Sequence, residues 1–407
     1  MDSKFTSLPF EEAIKFFRQK VSLPTERWTD LWEGMHSRAF VVAGAMKGEL
    51  LSDLRGAVDK AIAEGTTLEE FRKSFDKTVE KHGWSYKGSR GWRTATIFNT
   101  NMRTAYATGH YSQMTDKDVI SERPYWQYIG GLSADPRPEH LEWNGMVLRA
   151  DDPWWKTHYP PNGWGCKCKV ISLSEREMER QGLKVSKAPP VEYRPWDNPH
   201  TGEEVMVPKG IDPGWAYNPG AAAWGQQLSN DAMNGWKAQG AKAWERLTPG
   251  NWETHGRPKG VPVDRPKAVI GEKLSKEDME SGIRKVLGAD KKAYGFKAGD
   301  FSYDVLVNAK TLAEHIDPAR SVYLPFLPET LENPFEVWLS FEKHKGTGKV
   351  VLRQRIIKAV ETGKKEGLLM VTNSVNGVME AWTVVPTTDM KYLTRQRIGK
   401  LIWSRAK

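Results

Sequence analysis

Two cysteines occur in the 407 residues of this chain, and they stand one residue apart. Cys166 and Cys168 follow a Pro160-Pro161-Asn162-Gly163 turn and lie downstream of Asp135 and His140. One carboxylate, one imidazole and two thiolates make up the donors of a tetrahedral zinc site. Four protein ligands would make such a zinc structural, because no coordination position stays open for a substrate. Spacing argues against a metal, since zinc knuckles separate their cysteines by two to four residues and Cys-x-Cys is the poorer chelate. The competing reading is two small buried thiols beside a turn, with His140 an ordinary hydrogen-bonded histidine. A disulfide inside Cys-x-Cys closes only with strain, and two cysteines build no disulfide framework, so a reducing compartment is expected.

A second group of reactive types lies some 150 positions further on. Phe335, Val337, Leu339 and Phe341 alternate with Glu336, Trp338 and Ser340, as in a strand with one apolar and one polar face. The next strand adds Arg353 and Arg355 to the polar face, and the last carries Trp382 and Thr383, one on each side. His315 sits on a short helix ahead of them. Cleaving RNA without a metal needs a base for the 2′-hydroxyl proton, cations for the phosphate and an acid for the leaving oxygen. A concave sheet with this His, Glu, Arg pair and hydroxyl has those parts. Solvated faces of antiparallel sheets also carry Arg/Glu pairs with no catalytic purpose, which is the competing reading. Lys358 falls on the opposite face by alternation and is left out of the set.

The elements that must position these residues are legible from periodicity. Phe10, Ile14 and Phe17, and then Leu50, Leu51, Leu54, Val58 and Ile62, fall at helical spacing. Thr67 followed by Glu70 is a helix-start signal before Phe71 and Phe75, and residues 91–114 read as one long helix. Residues 125–129, 146–148 and 169–172 read as short strands. Residues 185–262 are rich in Pro, Gly, Asn and Trp without a sustained period, and read as a connector that packs on something else. Further on, Ser275 starts a helix to 287, 301–307 is a strand, and 310–316 is a short helix. Strands are expected at 335–341, 349–357, 368–372 and 381–385, with Asn376-Gly377 as a hairpin turn, and a helix at 392–403 closes the chain. The expectation is an α+β multidomain protein: a mainly helical segment at 1–184, a connector at 185–267, and at 268–407 helices with a four-stranded antiparallel sheet.

Charge divides unevenly. The formal net charge is +9, yet residues 245–407 carry 28 Lys and Arg against 20 Asp and Glu. A basic C-terminal domain that meets a polyanion is the sharper reading, and solvated helix faces the blander one. Fourteen of the 18 tryptophans lie in residues 1–244, several in Gly/Pro-rich stretches, which suggests ring-stacked loops or a surface buried by a partner. No stretch reaches the ~20 apolar residues of a membrane span, and the first residues lack an apolar signal core. A cytoplasmic product is expected. P-loop, dinucleotide, HExxH and nucleophile-elbow motifs are absent, which leaves a free metabolic enzyme without support.

The succession Arg103-Thr-Ala-Tyr-Ala, Trp126, Asp135-x-Arg137-x-x-His140, Gly145, Asp152-Pro-Trp-Trp155, Pro160-Pro-Asn-Gly163 and Cys166-Lys-Cys168 resembles the phage Mu F-type minor head protein family over roughly residues 30–175. Lys167 departs mildly from it, standing where arginine is frequent. The resemblance implies a virion protein of few copies, made in a bacterial host cytoplasm, associated with portal and capsid proteins, and needed for head assembly or DNA delivery. It also implies a variable C-terminal domain, often a toxin-like effector. Leu312-x-x-His315-Ile, Tyr323-Leu-Pro-x-Leu327, Asn333-Pro-x-Glu336-Val-Trp338, the Arg353/Arg355 strand, Trp382-Thr383-Val-x-Pro386 and Tyr392-Leu-x-x-x-Arg397-x-Gly399-x-Leu-x-Trp403 are similar to the phage-borne barnase–EndoU–colicin–RelE-like nuclease domains, over roughly 268–407. By that resemblance His315 is the general base or acid, Arg353 and Arg355 grip phosphate, Thr383 orients it, and Glu336 is the second acid/base group or a salt-bridge partner. No cofactor is expected there. The alternative is a purely structural virion protein whose basic domain binds DNA or a capsid partner without cleavage.

Overall fold

A computed structural model describes residues 9–133, 135–362 and 365–405. The chain divides into two compact units, residues 1–243 with 344–350, and residues 244–343 with 351–407.

In the first unit the apolar spacing produces helices α1 (Glu11–Arg18), α2 (Gly48–Glu64), α3 (Leu68–His82) and α4 (Arg90–Met114). Leu50, Leu51, Leu54, Val58 and Ile62 all face inward on α2. Thr67 caps α3 as expected: its hydroxyl accepts from the Glu70 amide while the Glu70 carboxylate accepts from the Thr67 amide. Between α1 and α2, β1 (Val21–Ser22) pairs in parallel with β2 (Ala39–Phe40). Beyond α5 (Lys117–Glu122), β3 (Tyr125–Ile129) forms the centre of an antiparallel sheet between β4 (Val147–Arg149) and β5 (Lys169–Leu173). Helices α6 (Pro138–Glu142), α7 (Trp155–His158) and α8 (Glu175–Gln181) lie in the connections and after β5.

Most tryptophans of this region pack inward, while Trp164 is exposed. Trp126, Tyr128, Trp143, Trp154, Trp155, Tyr159 and Trp215 form one buried cluster, mostly edge to face. Trp215 comes from the Pro/Gly-rich stretch, which also supplies the hairpin β6 (Tyr193–Asp197) and β7 (Glu204–Pro208) and helices α9 (Pro219–Trp224) and α10 (Asn230–Gln239).

The second unit departs from the expected four-stranded antiparallel sheet. Among the described residues its sheet has eight strands of mixed orientation. In chain order these are β8 (Trp244–Arg246), β9 (Lys291–Ala298), β10 (Phe301–Asn308), β11 (Glu336–His344), β12 (Val350–Glu361), β13 (Lys365–Val375), β14 (Val378–Thr387) and β15 (Lys400–Ser404). The spatial order is β15-β11-β12-β13-β14-β10-β9, with β8 also on β11. β10 runs parallel to β14, which places the β9–β10 hairpin beside the meander. The four expected strands are β11 to β14, and Asn376 and Gly377 take the positive φ values of a tight hairpin turn.

Three strands were not expected. β8 is three residues long, and β9 reads KKAYGFKA, an edge sequence with few apolar residues. β10 was read singly, without its partner. β15 hides in the expected closing helix: α14 (Met390–Arg395) ends early, and Gly399 at φ 91° reverses the chain into β15. A Cβ on Gly399 would lie 2.3 Å from the Leu339 carbonyl oxygen, so that approach requires glycine. Likewise α11 (Met279–Leu287) starts later than expected, because the Ser275 hydroxyl bonds the Asp278 carboxylate ahead of the helix. α12 (Ala309–His315), a 3₁₀ stretch over Pro318–Phe326 and α13 (Leu327–Glu332) complete the unit.

The largest correction concerns the polar face of β11. Residues 336–342 are buried throughout. Trp338, Ile357, Ala359 and Leu369 on that side form a core with Val261 and Leu393, packed also by Trp252 and Val263. The expected solvent face is therefore an interior one, covered by connector residues and α14.

Candidate functional site

In the first unit α6 opens on Pro138 at its first turn and carries His140, which is 2% exposed. Cys166 and Cys168 stand on the turn that leads into β5, where Arg103 of α4 bonds the Gly165 and Cys166 carbonyls. Gly130, at the end of β3, lets α6 approach: a Cβ there would lie 2.1 Å from the His140 carbonyl oxygen.

His140 Nδ1 is 3.4 Å from Cys168 Sγ and 3.8 Å from Cys166 Sγ, and the three donor atoms lie within 4.8 Å of one another. Tetrahedral zinc with bonds of about 2.0–2.3 Å sets donors roughly 3.5–3.8 Å apart. The two distances from His140 to the thiols are close to that requirement. His140 Nε2 lies 2.9 Å from the Gly210 carbonyl, which makes Nε2 the protonated nitrogen and turns the Nδ1 lone pair to the thiols. The hydrogen bond from its neighbour Cys166, helped by the Tyr128 hydroxyl, lowers the Cys168 thiol to about 7. The same Cys166–Cys168 bond, with burial, pushes Cys166 up to about 12. Asp135 is exposed and outside the triad, so among the described residues the donor set is three, not four. The expectation that four ligands close the site does not hold.

The second unit separates the residues expected to act together. Glu336 is fully buried, with Arg397 at 2.6 and 2.8 Å, Arg257 at 3.0 Å and the Trp338 indole at 2.9 Å. Its carboxylate is committed to these partners. Arg353 and Arg355 meet at Glu342: Arg353 at 2.8 Å, Arg355 through a short bond, with Arg355 also reaching Ser340 Oγ and Gln396. Arg355 is 7% exposed, whereas Arg353 is half-buried beneath the Trp244 ring, 4.5 Å away. Burial lowers the Arg353 pKa.

Arg353, Asn373 and Glu380 stand side by side on β12, β13 and β14. Arg353 Nε, Asn373 Oδ1 and Glu380 Oε1 are all buried without a hydrogen-bond partner. Such orphans are uncommon in an interior. Sequence reading missed Glu342, Asn373, Glu380 and Gln396. Glu342 continues the Glu336–Ser340 alternation and was findable; the others emerge only from register.

His315 is exposed and lies against Trp382, ring centroids 3.5 Å apart. Its Nδ1 sits 2.8 Å from the Thr311 carbonyl, so Nδ1 carries the proton and Nε2 the lone pair. Thr383, next to Trp382, pairs with Val371 across β13 at a bulge. His315 thus lies against Trp382, the two arginines gather at Glu342, and Glu336 belongs to neither group.

Comparison with known proteins finds two separate matches, one in each unit. Residues 52–171 match the family described as Phage Mu protein F like protein. Residues 287–404 match the family described as phage-Barnase-EndoU-ColicinE5/D-RelE like nuclease2. Protein F of Escherichia phage Mu, named as a candidate capsid assembly protein, is 38% identical over 247 residues, 54% of this chain and 56% of that protein. The Mu-like prophage FluMu F protein of Haemophilus influenzae is 35% identical over 229 residues, 50% of this chain and 55% of that protein. The chain thus spans about half the length of these curated relatives. No solved structure matches. This chain joins a head-protein domain of the phage Mu F-like family to a C-terminal domain of the phage barnase–EndoU–colicin–RelE-like nuclease family.

Proposed function

We propose that this protein is a minor head component of a phage, acting in capsid assembly and DNA delivery beside the portal, and that its C-terminal domain is a metal-independent ribonuclease effector. Its place is the virion, reached from the cytoplasm of a bacterial host, with portal and capsid proteins as partners. The exposed His315 carries the catalytic part, because Nε2 is the free lone pair on a ring fixed by Trp382 and Thr311. In this reading His315 takes the 2′-hydroxyl proton as that oxygen bonds to phosphorus and the bond to the 5′ oxygen breaks, and the leaving oxygen takes its proton from solvent. Thr383 and Arg353 hold the phosphate, and Arg355 positions Arg353 through Glu342. Glu336 acts only by holding the fold.

One observation favours a second reading, in which the domain binds nucleic acid without cleaving it: Glu336 and Arg355 are spent on internal ion pairs. Labelled tRNA and total RNA incubated with the full chain in EDTA, beside His315→Ala, decide between them. Cleavage by the parent and not by the variant supports the ribonuclease. Intact RNA with salt-dependent retention supports binding alone.

A zinc on His140, Cys166 and Cys168 belongs to the same proposal, and it would brace α6 against the turn before β5. Atomic emission of the purified chain should find about one zinc per chain, lost in Cys166→Ser. A content near zero after mild purification would remove the metal.

A further inference from the structure

The first unit contains a cavity of about 490 Å³, partly open to solvent and within the size range of small-ligand pockets. Rings of Trp28, Trp92, Trp164, Trp215 and Tyr217 make one part of its wall. Thr96, Thr100 and Thr104 of α4 make another, spaced four apart and so on one helix face. Lys20, His36 and Arg93 make the third, and no Asp or Glu lines the cavity among the described residues.

Lys20 is 4% exposed; its amine lies 4.8 and 6.0 Å from the Phe16 and Phe17 rings, and the Arg55 charge also acts on it. Among the described residues no carboxylate forms an ion pair with it. Arg93 donates to the Ala43 carbonyl and stacks on Trp84, while its Nε is buried with no partner. A buried cation without a counter-charge is costly unless something supplies one. Burial pushes the Lys20 amine down to about 7, and burial together with the Lys20 charge pushes His36 down to about 4.

We infer that this cavity binds an apolar carboxylate, with the acid group on Lys20 and the aromatic or aliphatic body between the tryptophans. A buried amine with no carboxylate partner among the described residues, beside walls made mostly of rings and aliphatic groups, suits a single acid group on an apolar body. The same chemistry is offered by a free organic acid and by the carboxyl end of a peptide with a terminal aromatic residue.

Calorimetric titration of the full chain at neutral pH tests this with hydrocinnamate and its neutral amide, and with a short peptide ending in Phe as free acid or as amide. Each acid should bind at least about 10-fold tighter than its amide, and the stronger of the two acids identifies the source. Lys20→Met should erase that preference while the melting temperature holds or rises, since an apolar chain of similar length replaces an unpaired amine. Equal binding of acid and amide, no binding of either acid at millimolar concentration, or a preference that survives Lys20→Met would overturn the inference.

Discussion

Glu336 and Arg397 face each other with no exposed surface on either side chain, joined through both carboxylate oxygens at 2.6 and 2.8 Å. Removing one partner leaves the other charge stranded in a dry site, which costs about 3–5 kcal/mol. Glu336→Gln should therefore lower the unfolding free energy of the second unit by that order, read from urea titration. A variant that unfolds like the parent but loses activity on RNA would return Glu336 to the chemistry.

The Gly399 turn supports a second prediction. Its φ of 91° strains any other residue, and a Cβ would collide with the Leu339 carbonyl. Gly399→Ala should cost about 2–4 kcal/mol, as backbone strain and collision add. Gly288 also has positive φ, but a Cβ there would meet nothing within 4 Å, so Gly288→Ala should cost only about 1–2 kcal/mol. Calorimetric melting of the two variants checks the order; equal losses would place the strain elsewhere.

A pH dependence follows from His158, stacked on Trp154 at 4.3 Å and 3% exposed. Burial pushes its imidazole down to about 4. The unfolded chain takes up this proton near pH 6.5 and the folded chain only near 4. Stability is therefore unaffected above about 6.5 and declines as pH falls from 6.5 towards 4, by on the order of 3 kcal/mol. His158→Gln should flatten that decline in denaturant titrations run across the interval. An unchanged slope would show that His158 stays charged when folded.

Arg353, partly accessible between Glu342 and Trp244, should matter more for polyanion binding than the exposed Lys391. Fluorescence anisotropy with labelled RNA should show Arg353→Ala weakening binding several-fold more than Lys391→Ala. It should also reduce the salt slope by about one. Equal effects would mean that the basic charge acts diffusely.

Much of the helical first unit was legible because its rules act over a few residues. The Leu50–Ile62 stripe, the Thr67–Glu70 capping box and the Asn376-Gly377 turn each read locally and form as read. The closing segment misled for the same local reason. Tyr392 to Trp403 has helical spacing, and only the proximity of Gly399 to Leu339, sixty residues earlier in the chain, shows why it turns into a strand.

By itself the sequence determined the donor types and the nuclease-like series: one Cys-x-Cys with a histidine, an arginine strand, a lone His315 before a Trp-Thr pair. Tertiary structure decided which of them meet. Placing His140 Nδ1 within 4 Å of both thiols, and leaving Asp135 outside, depends on the fit of α6 against β3 and β5. Glu336 changed from a surface acid to a buried anion because Val261, Leu393 and Arg397 cover its face of the sheet. Spacing along a chain gives the side of a strand on which a residue lies, but what packs on that side is settled by segments distant in sequence.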